Sequence, residues 1–249
     1  MALLTMGLWN ANMRAEREEN MKYEVNVNKL ERVNENSNLR GFASVVFNNC
    51  FKVGNIAIME NREGKMFVSM PRYETTKGDE DYKDVCNPIT KDFRKELYDV
   101  ILTSFEELEP GNHTKVNVEH GAQNEQLGIS VNVTPFEREG SNIRGIGRIY
   151  IENQFVVSNV VVLAGKKGFF VAMPSYKTKQ VDGKGKSVYQ DIAYPVTKVF
   201  RERLFGEVLN AYENALTEQK TKAAPVQRQQ KTSKTGKEKL EVTEGLPFR

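Results

Sequence analysis

The sequence has no apolar run near the roughly 20 residues needed to cross a bilayer, and in 249 residues it holds only two cysteines and two histidines. The first shortage excludes a membrane span. The opening stretch Met1 to Trp9 is apolar but lacks a basic flank and a small-residue cleavage site, so no signal peptide is read and the cytosol is the default compartment. Cys50 and Cys86 lie in different segments and form no C-x-x-C pair, which makes them structural or incidental. His113 and His120 both fall in one polar stretch. No Ser-His-Asp set, phosphate-cradling glycine loop or metal-ligand spacing is present, so no catalytic residue, metal or cofactor is expected and the chain does not read as an enzyme.

What the chain does have is a duplication. Residues 21–109 and 126–217 are imperfect copies of one unit. Copy 1 reads KMFVSMPRY from Lys65 to Tyr73, then DYKDVCNPITKDFRKEL from Asp81 to Leu97. Copy 2 reads GFFVAMPSY from Gly168 to Tyr176, then VYQDIAYPVTKVFRERL from Val188 to Leu204. Gly41 and Gly145, Phe51 and Phe155, and Asn55 and Asn159 are each 104 residues apart. That spacing is too long for a solenoid repeat and marks duplication of a whole domain, each copy with enough sequence for its own core.

Within each copy the first half carries strand signals. Tyr23, Val25 and Val27 alternate with polar residues, as do Leu127, Ile129, Val131 and Val133. Phe42 to Phe47 and Cys50 to Ile58 follow, joined by Asn48-Asn49, a pair that tolerates the positive φ of a two-residue hairpin. Ile146 to Ile151 and Gln154 to Leu163, joined by Glu152-Asn153, match them. A short apolar strand then ends at Met-Pro, where proline removes a ladder donor. After a polar loop, a helix with one apolar face begins at Thr90 or Thr197, each placed to act as an N-cap. The expected fold class is α+β: two tandem small domains, each a four-stranded antiparallel meander followed by one helix.

Residues 110–125 read as a polar linker. Residues 1–20 precede the repeat register and read as a disordered leader or a start-site artefact. Residues 218–249 are rich in Lys, Gln and Thr and read as a disordered basic tail.

Charge separates the copies. Copy 1 has a net charge of −3, copy 2 of +4 and the tail of +4. The polar loop shows the same split: Arg72 to Lys83 contains Glu74, Asp79, Glu80 and Asp81, whereas Ser175 to Gln190 contains Lys177, Lys179, Lys184 and Lys186 against Asp182 alone. Lys91/Lys198 and Arg94/Arg201 recur at the helix start, where basic side chains near unpaired N–H groups suit an anion; a solvated face with arginine packing its stem is the equally weighted reading. Tyr73/Tyr176 and Tyr82/Tyr189 bracket the loop, positioned either to stack on bases or to pack at the sheet rim. Asp84/Asp191 read as turn stabilisers.

The segment GFFVAMPSY, the run Tyr189-Gln-Asp-Ile-Ala-Tyr-Pro-Val-Thr and Phe155-Val-Val-Ser-Asn-Val resemble the stage V sporulation protein G (SpoVG, septation regulator) family. The resemblance covers nearly all of copy 2 and, more weakly, copy 1. It implies a small antiparallel sheet with a carboxyl-terminal helix, and a dimeric bacterial regulator of division or sporulation that binds DNA or RNA. Two copies in one chain then resemble a dimer made covalent. Where the family commonly has histidine, this chain has Asn87 and Tyr194, and Gly54 and Ser158.

The expected function is nucleic-acid binding with phosphate contacts mainly from copy 2 and the tail: Lys177, Lys179, Lys184, Lys186, Lys198 and Arg201, with Tyr176 beside them, and Arg72, Tyr73, Lys91 and Arg94 as the copy 1 equivalents. The expected partners are DNA or RNA, the other copy or a second chain, and no membrane. The alternative is a protein-interaction module whose acidic first copy docks a basic partner.

Overall fold

A computed structural model describes residues 21–31, 36–74, 82–120, 126–137 and 139–223. The leader (1–20), the acidic part of the copy 1 loop (75–81) and residues 224–249 of the tail lie outside the described residues.

The α+β class and the meander-plus-helix plan hold in both copies. In copy 1, β1 (Lys22–Lys29), β2 (Leu39–Phe47), β3 (Phe51–Glu60) and β4 (Met66–Ser69) pair in sequence, and α1 (Lys91–Glu106) lays Phe93, Leu97, Ile101 and Phe105 on them. In copy 2, β9 (Ile129–Pro135), β10 (Ile143–Ile151), β11 (Phe155–Gly165) and β12 (Gly168–Ala172) do the same beneath α2 (Lys198–Ala223). The hairpin residues Asn48 and Asn49 take φ of 42° and 53°, and Glu152 and Asn153 take 47° and 54°, the left-handed pair a two-residue hairpin requires.

The polar loops are themselves hairpins: β5 (Arg72–Glu74) with β6 (Tyr82–Asp84) in copy 1, and β13 (Ser175–Val181) with β14 (Ser187–Asp191) in copy 2. Each is followed by a three-residue strand, β7 (Cys86–Pro88) or β15 (Ala193–Pro195), and these two strands change sides. β7 pairs with β11 of copy 2, and β15 pairs with β3 of copy 1. Each long strand can take two partners on one edge because it is broken by a bulge. Asn55 and Asn159 sit there at φ 57° and 59°, a conformation asparagine tolerates better than most residues. Before the bulge β3 pairs with β15 and after it with β4; β11 divides in the same way between β7 and β12.

Four further backbone bonds close the seam in matched pairs: Gly54 N–H to Ile192 C=O (2.7 Å) with Ser158 N–H to Val85 C=O (2.7 Å), and Val196 N–H to Cys50 C=O (2.8 Å) with Ile89 N–H to Gln154 C=O (2.7 Å). Each contributes roughly 0.5–1.5 kcal/mol net. The core is accordingly one cluster drawn from both copies and not two separate ones. Phe47 meets Phe155 at 5.2 Å between ring centroids, and Phe51 meets Phe200 at 6.1 Å.

Two further segments depart from expectation. The stretch expected to be a bare linker contains β8 (His113–Glu119), which pairs along the outer edge of β1. Alternating Thr114, Val116 and Val118 supply its inward face, a period-2 signal too short to stand out among the polar residues around it. His120, just beyond, bonds Glu96 at 2.7 Å, and the buried Tyr23 hydroxyl donates to the same carboxylate. The second departure is α2, which continues to Ala223, past residue 218 where disorder was expected. Glu218 to Lys222 contains good helix formers, and the sequence has no breaker before Pro225. No described helix is long and apolar enough to cross a membrane.

Candidate nucleic-acid interface

The β13–β14 hairpin carries the lysines that distinguish copy 2. Alternation along β13 sends Lys177 and Lys179 to the exposed face, about 7 Å apart, while Tyr176 and Thr178 turn to the other face and are half-buried. Tyr176 donates its hydroxyl to Gln190 Oε1 at 2.8 Å and packs against the core, so it is a rim residue. The exposed aromatic is Tyr189, directly opposite Lys177 in the register and therefore on the same face.

At the hairpin tip, Asp182 builds the turn. Its carboxylate accepts the backbone N–H groups of Lys184 and Lys186, both at 2.8 Å, and its C=O accepts from Gly185, which takes φ 73°. The acid at the hairpin tip is thus occupied with the backbone, and the two tip lysines project from the turn it sets. Among the described residues none of Lys177, Lys179, Lys184 and Lys186 forms an ion pair.

The recurrent basic residues at the helix starts divide. Arg94 donates to the Pro88 C=O at 2.8 Å and Arg201 to the Pro195 C=O at 3.3 Å, so each arginine holds the end of an exchanged strand against its own helix. Lys198 is exposed and lies 3.8 Å from Glu202, one helical turn on. Lys91 is exposed at the equivalent place. Thr197 Oγ1 accepts the Phe200 N–H at 3.3 Å, whereas Thr90 occupies the cap position without a side-chain bond. Asp84 and Asp191 sit beside these arginines. Burial pushes both carboxyls above their ordinary value, and Arg72 and Arg94, or Arg201, pull the other way.

The structure does not bring all six cationic residues of copy 2 together. Arg201 is at the foot of the hairpin by Asp191, and a seven-residue strand places Lys184 and Lys186 about 20 Å away at the tip. In copy 1, Arg72 donates to Ser69 Oγ at 2.7 Å and lies over the Tyr82 ring at 5.6 Å, and Tyr73 stands opposite Lys83.

A second basic and aromatic region was missed in the sequence because its parts come from different copies. Strand β6 of copy 1 borders an open cleft of about 530 Å³ beside the copy 2 sheet, lined by Tyr82, Lys83 and Asn87 from copy 1 and Arg148 and Tyr150 from copy 2. Lys83 and Arg148 are exposed cations beside aromatic rings, a combination that suits a phosphate with a neighbouring base. Only the exchange of β7 makes them neighbours. Elsewhere, burial pushes the Cys50 thiol up to about 11 and raises that of Cys86, which leaves both as protonated packing groups. No group of ligating side chains able to hold a metal ion occurs among the described residues.

The SpoVG family model matches residues 21–107 and again 128–214. The septation protein SpoVG of Heliobacterium modesticaldum is 41% identical over 86 residues, covering 34% of this chain and 89% of its own length. That of Lachnospira eligens is 41% identical over 85 residues, 34% of this chain and 89% of its own, and that of Phytoplasma australiense 36% over 80 residues, 32% and 80%. With two matches that together span most of the sequence, and each copy carrying the same meander and helix, the chain belongs to the SpoVG family, as a tandem duplication of its domain.

Proposed function

We propose that the chain is a bacterial nucleic-acid-binding regulator of the septation and sporulation type, a covalent pseudo-dimer whose phosphate contacts come mainly from copy 2 and the basic tail. The observation that carries this reading is the β13–β14 hairpin, whose four lysines form no ion pair among the described residues and whose tip aspartate, Asp182, is engaged by backbone N–H groups. Lysines on a projecting ribbon contact phosphate without reading sequence, so they supply affinity and orientation. Lys198 adds to them, and Arg201 acts mainly by holding β15. The cleft with Lys83 and Arg148 supports a second contact, and Tyr189 and Tyr82 are the exposed rings placed for stacking. The protein resides in the cytoplasm and uses no catalytic residue.

The test is a salt titration of binding to DNA and to RNA. Neutralising about four phosphates gives a slope of log affinity against log salt near −3.6 on duplex DNA. Absence of salt-dependent retention of either nucleic acid would leave the other reading, a protein-interaction module in which acidic copy 1 docks a basic partner.

A further inference from the structure

The two sheets are not equal. The first has six strands, with β8 covering the outer edge of β1; the second has five and ends at β9. In β1 the odd-numbered residues face that edge, as the bonds Lys29 N–H to Asn112 C=O and Gly111 N–H to Lys29 C=O show. The same parity holds in β9. Glu152 N–H donates to Gly128 C=O and Phe136 N–H to Arg144 C=O, so even-numbered residues face β10, and the N–H groups of Ile129, Val131 and Val133 point outward with no strand beside them among the described residues. The side chains register the gap too. Tyr23 and Val25 beneath β8 are fully buried, whereas Ile129 and Val131, which occupy their places opposite Ile151 and Ile149, are only partly buried.

Natural edge strands are guarded by charges, bulges or a covering segment. Ile129 to Pro135 contains no charged residue. The sequence that covers β1 runs Lys115-Val116-Asn117-Val118-Glu119-His120-Gly121, and one other stretch of the chain has the same order of lysine, aliphatic, polar, valine, two polar and glycine: Lys239-Leu240-Glu241-Val242-Thr243-Glu244-Gly245. It follows α2, as β8 follows α1. Fifteen residues, 224–238, separate it from the helix end, and extended at about 3.3 Å each they reach roughly 50 Å, enough to retrace a helix about 39 Å long.

We propose that Lys239 to Thr243 adds to the free edge of β9 as a sixth strand, antiparallel, with Leu240 opposite Val131 and Val242 opposite Ile129, as Val116 and Val118 lie opposite Val25 and Tyr23. The occupant is this chain's own tail, and both sheets then have six strands. One consequence is that Arg228, Lys231, Lys234 and Lys237 are tethered at both ends. This inference does not depend on nucleic-acid binding.

Hydrogen exchange of single backbone amides tests it, comparing the full chain with a chain ending at residue 237 and with the double variant Leu240→Asp/Val242→Asp. The expected result is that Ile129, Val131 and Val133 exchange on the order of 100-fold more slowly in the full chain than in either variant, while Ser130, Asn132 and Thr134, bonded to β10, behave alike in all three and show that the fold is retained. Equal rates in all three proteins overturn the proposal. So does protection that survives in both variants, whether it grows with protein concentration, which would assign the edge to a second copy of β9, or is independent of it, which would assign the edge to another segment such as residues 1–20.

Discussion

The Ser158 amide donates to the Val85 carbonyl at 2.7 Å, across the boundary between the two copies. Its counterpart, Gly54 to Ile192, has the same length. Both donors lie beside the positive-φ asparagines that break the long strands, so the bulge and the exchange are one device: the break frees an amide, and the incoming strand supplies its acceptor.

A chain limited to residues 21–120 therefore lacks a partner for the first half of β3 and has a β7 with no strand to join. It is expected to run as a dimer in light scattering, two such chains exchanging β7, and to dissociate and unfold together on dilution. A stable folded monomer would contradict the pairing described here.

Gly41 and Gly145 recur because the helix presses on the strand there. A Cβ at Gly41 would lie 2.5 Å from the Asn28 carbonyl oxygen and 2.8 Å from the Phe105 ring; at Gly145 it would meet Tyr212 and Val133 at 3.0 Å. Gly41→Ala should destabilise the protein by about 1–3 kcal/mol, as overpacking does, and Gly145→Ala by less, read as midpoint shifts in urea unfolding.

Two aspartates beside the seam make stability depend on pH. Asp84 and Asp191 have folded-state values raised above the ordinary aspartate value, chiefly by partial desolvation. The folded state therefore holds their protons more tightly than the unfolded state, and their contribution is present below about pH 4 and lost as pH rises through the folded values. Asp84→Asn with Asp191→Asn should flatten the fall in melting temperature between about pH 4 and neutrality. An unchanged pH profile would show that Arg94 and Arg201 fully offset the burial.

On the binding side, Lys177, Lys179, Lys184 and Lys186 changed together to Gln should lower nucleic-acid affinity at low salt by at least tenfold and make the salt slope shallower by about 3.6, with the melting temperature unchanged. Lys83→Gln with Arg148→Gln should weaken binding less and reduce the slope by about 2. Arg201→Gln should instead act on stability, by about 1 kcal/mol through the lost bond to Pro195. Filter binding and thermal melts on the same samples separate the three.

The repeat, the strand periods, the two hairpins and the helix starts were legible because each is written locally: alternating valines, Asn48-Asn49, Thr-Lys-x-Phe-Arg. Exchange was not, since β7 and β15 have only three residues each and their partners lie in the other copy, about 70 and about 140 positions away. The residues on that seam, Gly54, Ser158, Asn87 and Tyr194, are the places where the chain departs from the histidines of the resemblance. Reading lysines by loop found the basic hairpin, but it gave no sign that Arg201 bonds a carbonyl six residues back. It also missed Arg148, which gains its significance only from a hairpin belonging to the other copy.

The crossed strands also bear on how such a chain can change over generations. Its relatives are spanned almost entirely by a single copy, but here neither half completes its sheet without the other, so loss of either would leave the survivor without its borrowed strand. The seam is held to complementarity. The two polar loops supply none of the exchanged strands, which leaves their sequences free to drift in opposite directions, and they have done so in charge.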